Sequence, residues 1–200
     1  MFKRLRKEKT EIMVDEEKGH LFLGDNEKDI KLLMLRPVDI LEFCEFAGAN
    51  ADDIIIWSAK SGVGKELMKK YFHDKDWSNV ELSVKKEVFL GVLEALMLMG
   101  YGYVTATFKK DHIFVSMYNP IAEEEQDNIM AKNLCLINQG IISGILEELG
   151  FDTEGQEVEC VLLDDQRCRF RFDLFGTQIP DELVDEEKSP EAITDFLESL

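Results

Sequence analysis

Hydrophobic and polar residues alternate near the start of the chain, then recur at helical spacing through its middle. Ile12-Met13-Val14 and Leu21-Phe22-Leu23 flank a charged turn containing Gly19, and residues 30–36 read as a third extended segment. Pro37 suits the first turn of a helix reaching residue 48, with Ile40, Leu41, Phe43, Cys44 and Ala47 at helical spacing. Asn50 can cap a second helix over 51–72, whose first turn holds Asp52 and Asp53 where the dipole favours carboxylates. Gly62 and Gly64 interrupt it. A third helix, over 80–99, is apolar on most faces and is expected to be the most buried.

Two hairpins follow. In the first, Lys110-Asp111 forms a two-residue turn that pairs Lys109 with His112 and Phe108 with Ile113. That register gathers Val104, Ala106, Phe108, Ile113, Val115 and Met117 on one apolar face, and a slip of one residue would scramble both faces. The second hairpin covers 156–175. Val158, Cys160 and Leu162 alternate with glutamates on one strand, and Cys168, Phe170 and Phe172 with arginines on the other. Joining the apolar sets sets Glu157 opposite Arg171 and Glu159 opposite Arg169, with Cys160 and Cys168 as inner neighbours. Between the hairpins a long helix is expected over 123–149, closed by Gly150. On it Cys135, Ile142 and Leu149 recur every seven residues, and Gly140 and Gly144 allow another element to approach closely.

The expected fold class is therefore α+β: N-terminal helices, two β-hairpins and a long intervening helix, with an antiparallel sheet packed against helices. Three segments are expected: a basic, extended arm over 1–29, a domain over 30–175, and an acidic tail over 176–200. In the tail Ser189-Pro190-Glu191 starts a short helix.

Charge narrows the function. The chain of 200 residues carries a net −18, with −3 in its first hundred residues and −15 in its second. Such a surface repels phosphate backbones and anionic membranes, so nucleic-acid and membrane partners are not expected. No apolar run follows the basic start, and four cysteines without dense spacing suit a reducing cytoplasm. Residues 88–108 contain a single charge, Glu94, but Gly100 and Gly102 divide them into a buried helix and a strand rather than a membrane span.

The cysteines carry the candidate chemistry. Cys135 lies on the long helix, Cys160 and Cys168 on the hairpin after it, and Glu157 three residues before Cys160. Three thiolates and a carboxylate suit tetrahedral zinc, while buried free cysteines also serve as small apolar core residues. Spacing alone leaves both readings open. Cys44 reads as helix core. The segment 119–172 resembles the 4-vinyl reductase, or hydrocarbon-binding, domain family, which shows a cysteine helix with a glycine-rich patch followed by Glu-x2-Cys-x7-Cys-x-Phe. Here those residues are Cys135, Gly140, Gly144, Glu157, Cys160, Cys168 and Phe170. Arg36-Pro37-x-Asp39-Ile40 and Gly62-Val63-Gly64 resemble the family's helical half. The resemblance implies a ligand-binding fold shared with transport-protein-particle (TRAPP) subunits and haem nitric-oxide sensors. It also implies a structural zinc on Cys135, Glu157, Cys160 and Cys168, with Arg169 or Arg171 offsetting the negative charge. Haem is not expected, because the proximal histidine and Tyr-x-Ser-x-Arg motif of the haem sensors are missing.

No Ser/His/Asp arrangement stands out, and the Gly62-Val63-Gly64-Lys65 string lacks the first glycine and the Ser or Thr of a phosphate loop. The expected function is non-enzymatic binding or sensing of a small apolar or aromatic molecule. Trp57, Phe89, Met97, Tyr103, Phe114 and Tyr118 are the candidate pocket wall. A homodimer or a separate effector protein would relay the signal. The alternatives are a TRAPP-like assembly subunit without ligand and, third, a role in tetrapyrrole vinyl reduction, for which no dinucleotide-binding Gly-x-Gly-x-x-Gly loop is present.

Overall fold

A computed structural model describes residues 11–15, 17, 20–24, 30–45, 51–72, 75–128, 130–186 and 189–198. Strands β1 (Glu11–Asp15), β2 (His20–Gly24) and β3 (Ile30–Leu32) form a small antiparallel sheet in the order β1-β2-β3. Helices α1 (Pro37–Glu45), α2 (Ala51–Ala59), α3 (Glu66–Phe72) and α4 (Leu82–Leu98) follow. Then come β4 (Tyr103–Phe108), β5 (His112–Tyr118), α5 (Lys132–Glu148), β6 (Asp152–Glu159), β7 (Cys168–Phe175) and α6 (Pro190–Glu198). The second sheet is antiparallel in the order β4-β5-β7-β6 and packs against helices, as the hydrophobic pattern requires. Among the described residues no helix is long and apolar enough to cross a membrane. The turn at Gly19, the Asn50 cap, Ala47 and the end of the first helix lie outside the described residues.

The first hairpin has the expected register, with Phe108 opposite Ile113 and Tyr103 opposite Tyr118. Five of its six inner residues are buried, and Phe108 meets Phe89 of α4 edge-to-face at 5.9 Å. The third extended segment is shorter than expected, because Arg36 begins a helix cap. Asp39 reaches back to accept the Arg36 backbone amide at 3.0 Å and its guanidinium at 2.6 Å, and Pro37 occupies the first helical position.

Two helical expectations are corrected. The stretch 123–149 is not continuous: a 3-10 turn (Ile121–Glu125) precedes α5, and the Asn128 side chain accepts the Met130 amide in the gap. The most buried helix is α5 rather than α4, with ten buried residues among seventeen against six among seventeen. The reason is position. One side of α5 faces the β6–β7 ribbon and the other faces α2, whereas α4 covers the β4 edge.

The glycines explain how α2 reaches α5. Between α2 and α3 the chain forms a π-helical turn, Lys60–Lys65, which absorbs Gly62 and Gly64 without ending the helix. A Cβ on Gly64 would overlap the Ile141 carbonyl oxygen, and one on Gly140 would sit 2.5 Å from the Ile56 carbonyl oxygen. Backbones therefore touch at this crossing. Lys60 and Lys65 both bind Glu147, at 2.5 and 2.7 Å, and pin the π-turn onto α5.

The acidic tail docks. Asp185 accepts the Phe108 amide at 2.9 Å and Lys86 Nζ at 2.5 Å, while its own amide donates to the Phe108 carbonyl at 2.9 Å. The expected helix start at Ser189-Pro190 is present, with Ser189 Oγ accepting the Ala192 amide at 3.2 Å.

Candidate metal centre

Three elements bring the four residues together. Cys135 projects from α5, Cys160 directly follows β6, Cys168 begins β7, and Glu157 lies on β6. On a regular strand Glu157 and Cys160, an odd number apart, would face opposite ways. A bulge at Val158 resolves this. Glu157 pairs with Phe170 and Glu159 with Arg169, so Val158 is the extra residue, turned outward and 44% exposed. The expected pairing of Glu159 with Arg169 is present; that of Glu157 with Arg171 is corrected, since Gln156 takes Arg171. The bulge is what lets the carboxylate and the Cys160 thiol share one face.

The ligand atoms of Cys135, Glu157, Cys160 and Cys168 all lie within 4.8 Å of one another. Cys135 Sγ is 3.8 Å from Cys160 Sγ and 3.8 Å from Cys168 Sγ. Four ligands in a tetrahedron of radius about 2.3 Å, the zinc–thiolate length, have edges of about 3.8 Å. The thiols are free and too far apart for a disulfide. All three are buried, and Glu157 Oε1 is a buried oxygen with no hydrogen-bond partner among the described residues. An orphaned carboxylate oxygen facing three thiols fits a bound cation.

The electrostatics agree. Hydrogen bonding to Cys168, then burial and the negative neighbours, push the Cys135 thiol far above its ordinary value. Burial pushes the Cys160 thiol up to about 12, although the Leu162 amide, in the 3-10 turn after Cys160 (Val161–Leu163), favours its thiolate. Burial, with Asp165 adding to it, also holds the Glu157 carboxyl above the usual carboxylate range. So many acidic groups packed without a cation resist ionisation, and a divalent ion removes that resistance.

The arginines divide their work. Arg167, 4% exposed, donates through Nε and Nη2 to Glu159 at 2.7 and 3.1 Å and through Nη1 to the Tyr118 hydroxyl at 2.8 Å. Arg169 donates to Glu159 at 3.0 Å and lies 3.6 Å over the Phe114 ring. Arg171 binds Asp173 instead. Sequence reasoning missed Arg167; the signal was an arginine directly before Cys168.

The six candidate wall residues are not brought together. Met97, Tyr103 and Tyr118 line one cavity of about 370 Å³ between α4, the outer face of β4–β5 and the tail. Phe89 is core, Phe114 lies under Arg169, and Trp57 is 67% exposed on α2.

No protein-family model matches the sequence, and no curated protein matches it. Solved structures do. The chain shares its fold with the phenol-responsive sensory domain of the transcription activator PoxR, solved with phenol. The TM-score is 0.59 at 15% identity, covering 92% of this chain and 90% of that one. An H-NOX protein from S. oneidensis in the Fe(II)NO state aligns at 0.49 and 9% identity, over 74% of this chain and 80% of that one. A trafficking protein particle complex subunit 3 from Naegleria fowleri, covalently bound to palmitic acid, aligns at 0.37 and 16% identity, over 74% and 87%.

Proposed function

We propose that this chain is a non-enzymatic sensory domain of the 4-vinyl reductase type, holding a structural zinc ion and binding a small apolar or aromatic molecule. The observation that carries this reading is the convergence of Cys135, Glu157, Cys160 and Cys168, two sulfur pairs at tetrahedral spacing, on a fold shared with a phenol-responsive domain. Four protein ligands leave no open position for a substrate water, so zinc here ties α5 to the β6–β7 ribbon rather than performing chemistry. Zinc takes the four groups as anions, for a net −2, and the buried Arg167, directly before Cys168 in sequence, is paired with Glu159. Free thiols suit a reducing, cytoplasmic setting.

The ligand site we assign is the cavity bounded by Met97, Tyr103 and Tyr118. Its volume of about 370 Å³ lies in the range of small-molecule sites. Native mass spectrometry of freshly purified protein, with elemental analysis, tests the reading. One zinc per chain and a retained organic mass support it; metal-free, ligand-free protein with an intact fold contradicts it.

One observation favours assembly as a second role. Leu33 and Met34 are each 80% exposed, next to the half-exposed Leu35. A homodimer would cover such a run. Light scattering decides between one copy and two.

A further inference from the structure

The tail is attached in two different ways. Up to Asp185 it is clamped to the end of the first hairpin. Ile179 N donates to the Lys110 carbonyl at 2.9 Å, Lys86 Nζ to the Leu183 carbonyl at 2.8 Å, and Lys109 Nζ to the Asp185 carbonyl at 2.9 Å. Beyond it, two polar side chains bond within their own segment: Ser189 accepts from Ala192 and Thr194 Oγ1 donates to the Pro190 carbonyl. What α6 brings to the sheet is apolar, chiefly the buried Ile193 and the Phe196 ring, 6.2 Å from Tyr103.

That packing is incomplete. Ile193 forms part of the wall of the 370 Å³ cavity. A second cavity of about 560 Å³ lies between Glu191, Thr194, Asp195 and Leu197 of α6 and Tyr118, Asn119, Glu123 and Gln166. A permanent core element fills its seat to near crystal density, whereas α6 has sizeable space on two sides. Tyr118 borders both spaces.

We infer that the groove under α6 takes an uncharged amphiphile, an aromatic or short aliphatic body bearing a hydroxyl, and that the ligand enters by displacing α6. This rests on the cavity assignment made under Proposed function and adds the ligand's charge class and the moving part. Leu93, Met97 and Tyr103 provide the apolar wall, and Thr105, Thr107 and Ser116 offer hydroxyls to a polar head. Glu186, Glu191 and Asp195 rim the two spaces with carboxylates, while two further charged groups there are already engaged, Asp185 with Lys86 and Arg167 with Glu159. An anionic head would meet like charge there. Release of α6 from Tyr103, with the Asp185 clamp still in place, turns occupancy into a change at the chain's surface.

The test uses the full, zinc-loaded chain and two fluorescent probes of similar body, uncharged N-phenyl-1-naphthylamine and the anionic 1-anilinonaphthalene-8-sulfonate. The uncharged probe should bind at one site and at least about tenfold more tightly than the anionic one. Hydrogen exchange should quicken in 190–198 on binding and stay unchanged in β5 and α5. Ile193→Asp, which loosens α6, should tighten the uncharged probe by about tenfold if the helix is closed about nine-tenths of the time. Thr105→Trp, which fills the groove, should abolish binding while zinc content stays at one per chain. If the probe binds but 190–198 exchange no faster, or Ile193→Asp weakens it, α6 is a fixed wall and the inference falls while the cavity assignment stands. Equal affinity for both probes overturns the charge class. No binding to wild type or Ile193→Asp overturns both.

Discussion

Replacing Gly144 with alanine strikes the crossing that seats the Cys135 helix. A Cβ at 144 would overlap the Lys60 carbonyl oxygen and stand 3.0 Å from both Gly64 Cα and Lys65 N, where ordinary contact begins at 3.4 Å. All three neighbours are backbone atoms, so no side chain can rotate away and the whole π-turn must retreat by about 0.5–1 Å. A gap of that size forfeits roughly a quarter to a half of each dispersion contact across it, each worth about 0.1–0.2 kcal/mol. Over about 40 atom pairs, the number one buried leucine makes, the loss is about 2 kcal/mol, inside the range for overpacked cores. Alanine recovers about 0.5–1 kcal/mol through helix propensity, leaving a net destabilisation of about 1–1.5 kcal/mol. Gly62, two residues before Gly64 in the same turn, is the control, because a Cβ there meets nothing within 4 Å. Gly62→Ala should stabilise by about 0.5–1 kcal/mol. Urea unfolding should therefore move the two midpoints in opposite directions. Equal shifts of the same sign would refute the close crossing.

Other consequences are as direct. Cys168→Ser should lower zinc affinity by more than about 100-fold, beyond the cost of losing an outer hydrogen bond, as read by chelator competition. Cys135 and Cys160 are both raised, Cys160 to about 12, so both hold protons in the metal-free protein throughout pH 6–8 and release them to the metal. Apparent zinc affinity should then fall by about 100-fold or more per unit drop in pH, and a flat titration would contradict that proton release. Arg167→Met strands Glu159 beside Arg169 alone and should cost about 2–4 kcal/mol in thermal unfolding, whereas Arg171→Met, at a half-exposed pair, should stay within about 0.5 kcal/mol. Asn133 is fully buried with both amide atoms unpaired among the described residues, so Asn133→Leu should raise stability by about 1–2 kcal/mol. A loss on that substitution would mean that the amide has a partner in solution.

Period-two and period-3.6 patterns made most of the architecture readable. The first hairpin was legible residue by residue, because a two-residue turn and six apolar positions allow one register. Gly140 and Gly144 announced a close crossing, and α2 with its π-turn supplies it. The cysteine cluster was readable as a possibility, since Cys160 and Cys168 had to be neighbours. The orientation of Glu157 was not, because a bulge leaves no mark in the alternation except an outward valine. Burial of α5 over α4 was also hidden: both helices are apolar, and only the tertiary arrangement decides which is covered on two sides. The tail's docking depended on Asp185, one carboxylate in an acidic run, finding Lys86 and the Phe108 amide far away in sequence.

The central claim is that Cys135, Glu157, Cys160 and Cys168 together hold one zinc ion, and X-ray absorption at the zinc edge of the purified chain tests it most directly. The account predicts three sulfurs at about 2.3 Å and one oxygen at about 2.0–2.2 Å. A shell dominated by nitrogen and oxygen, or stoichiometric zinc retained unchanged after Cys168→Ser, would contradict it.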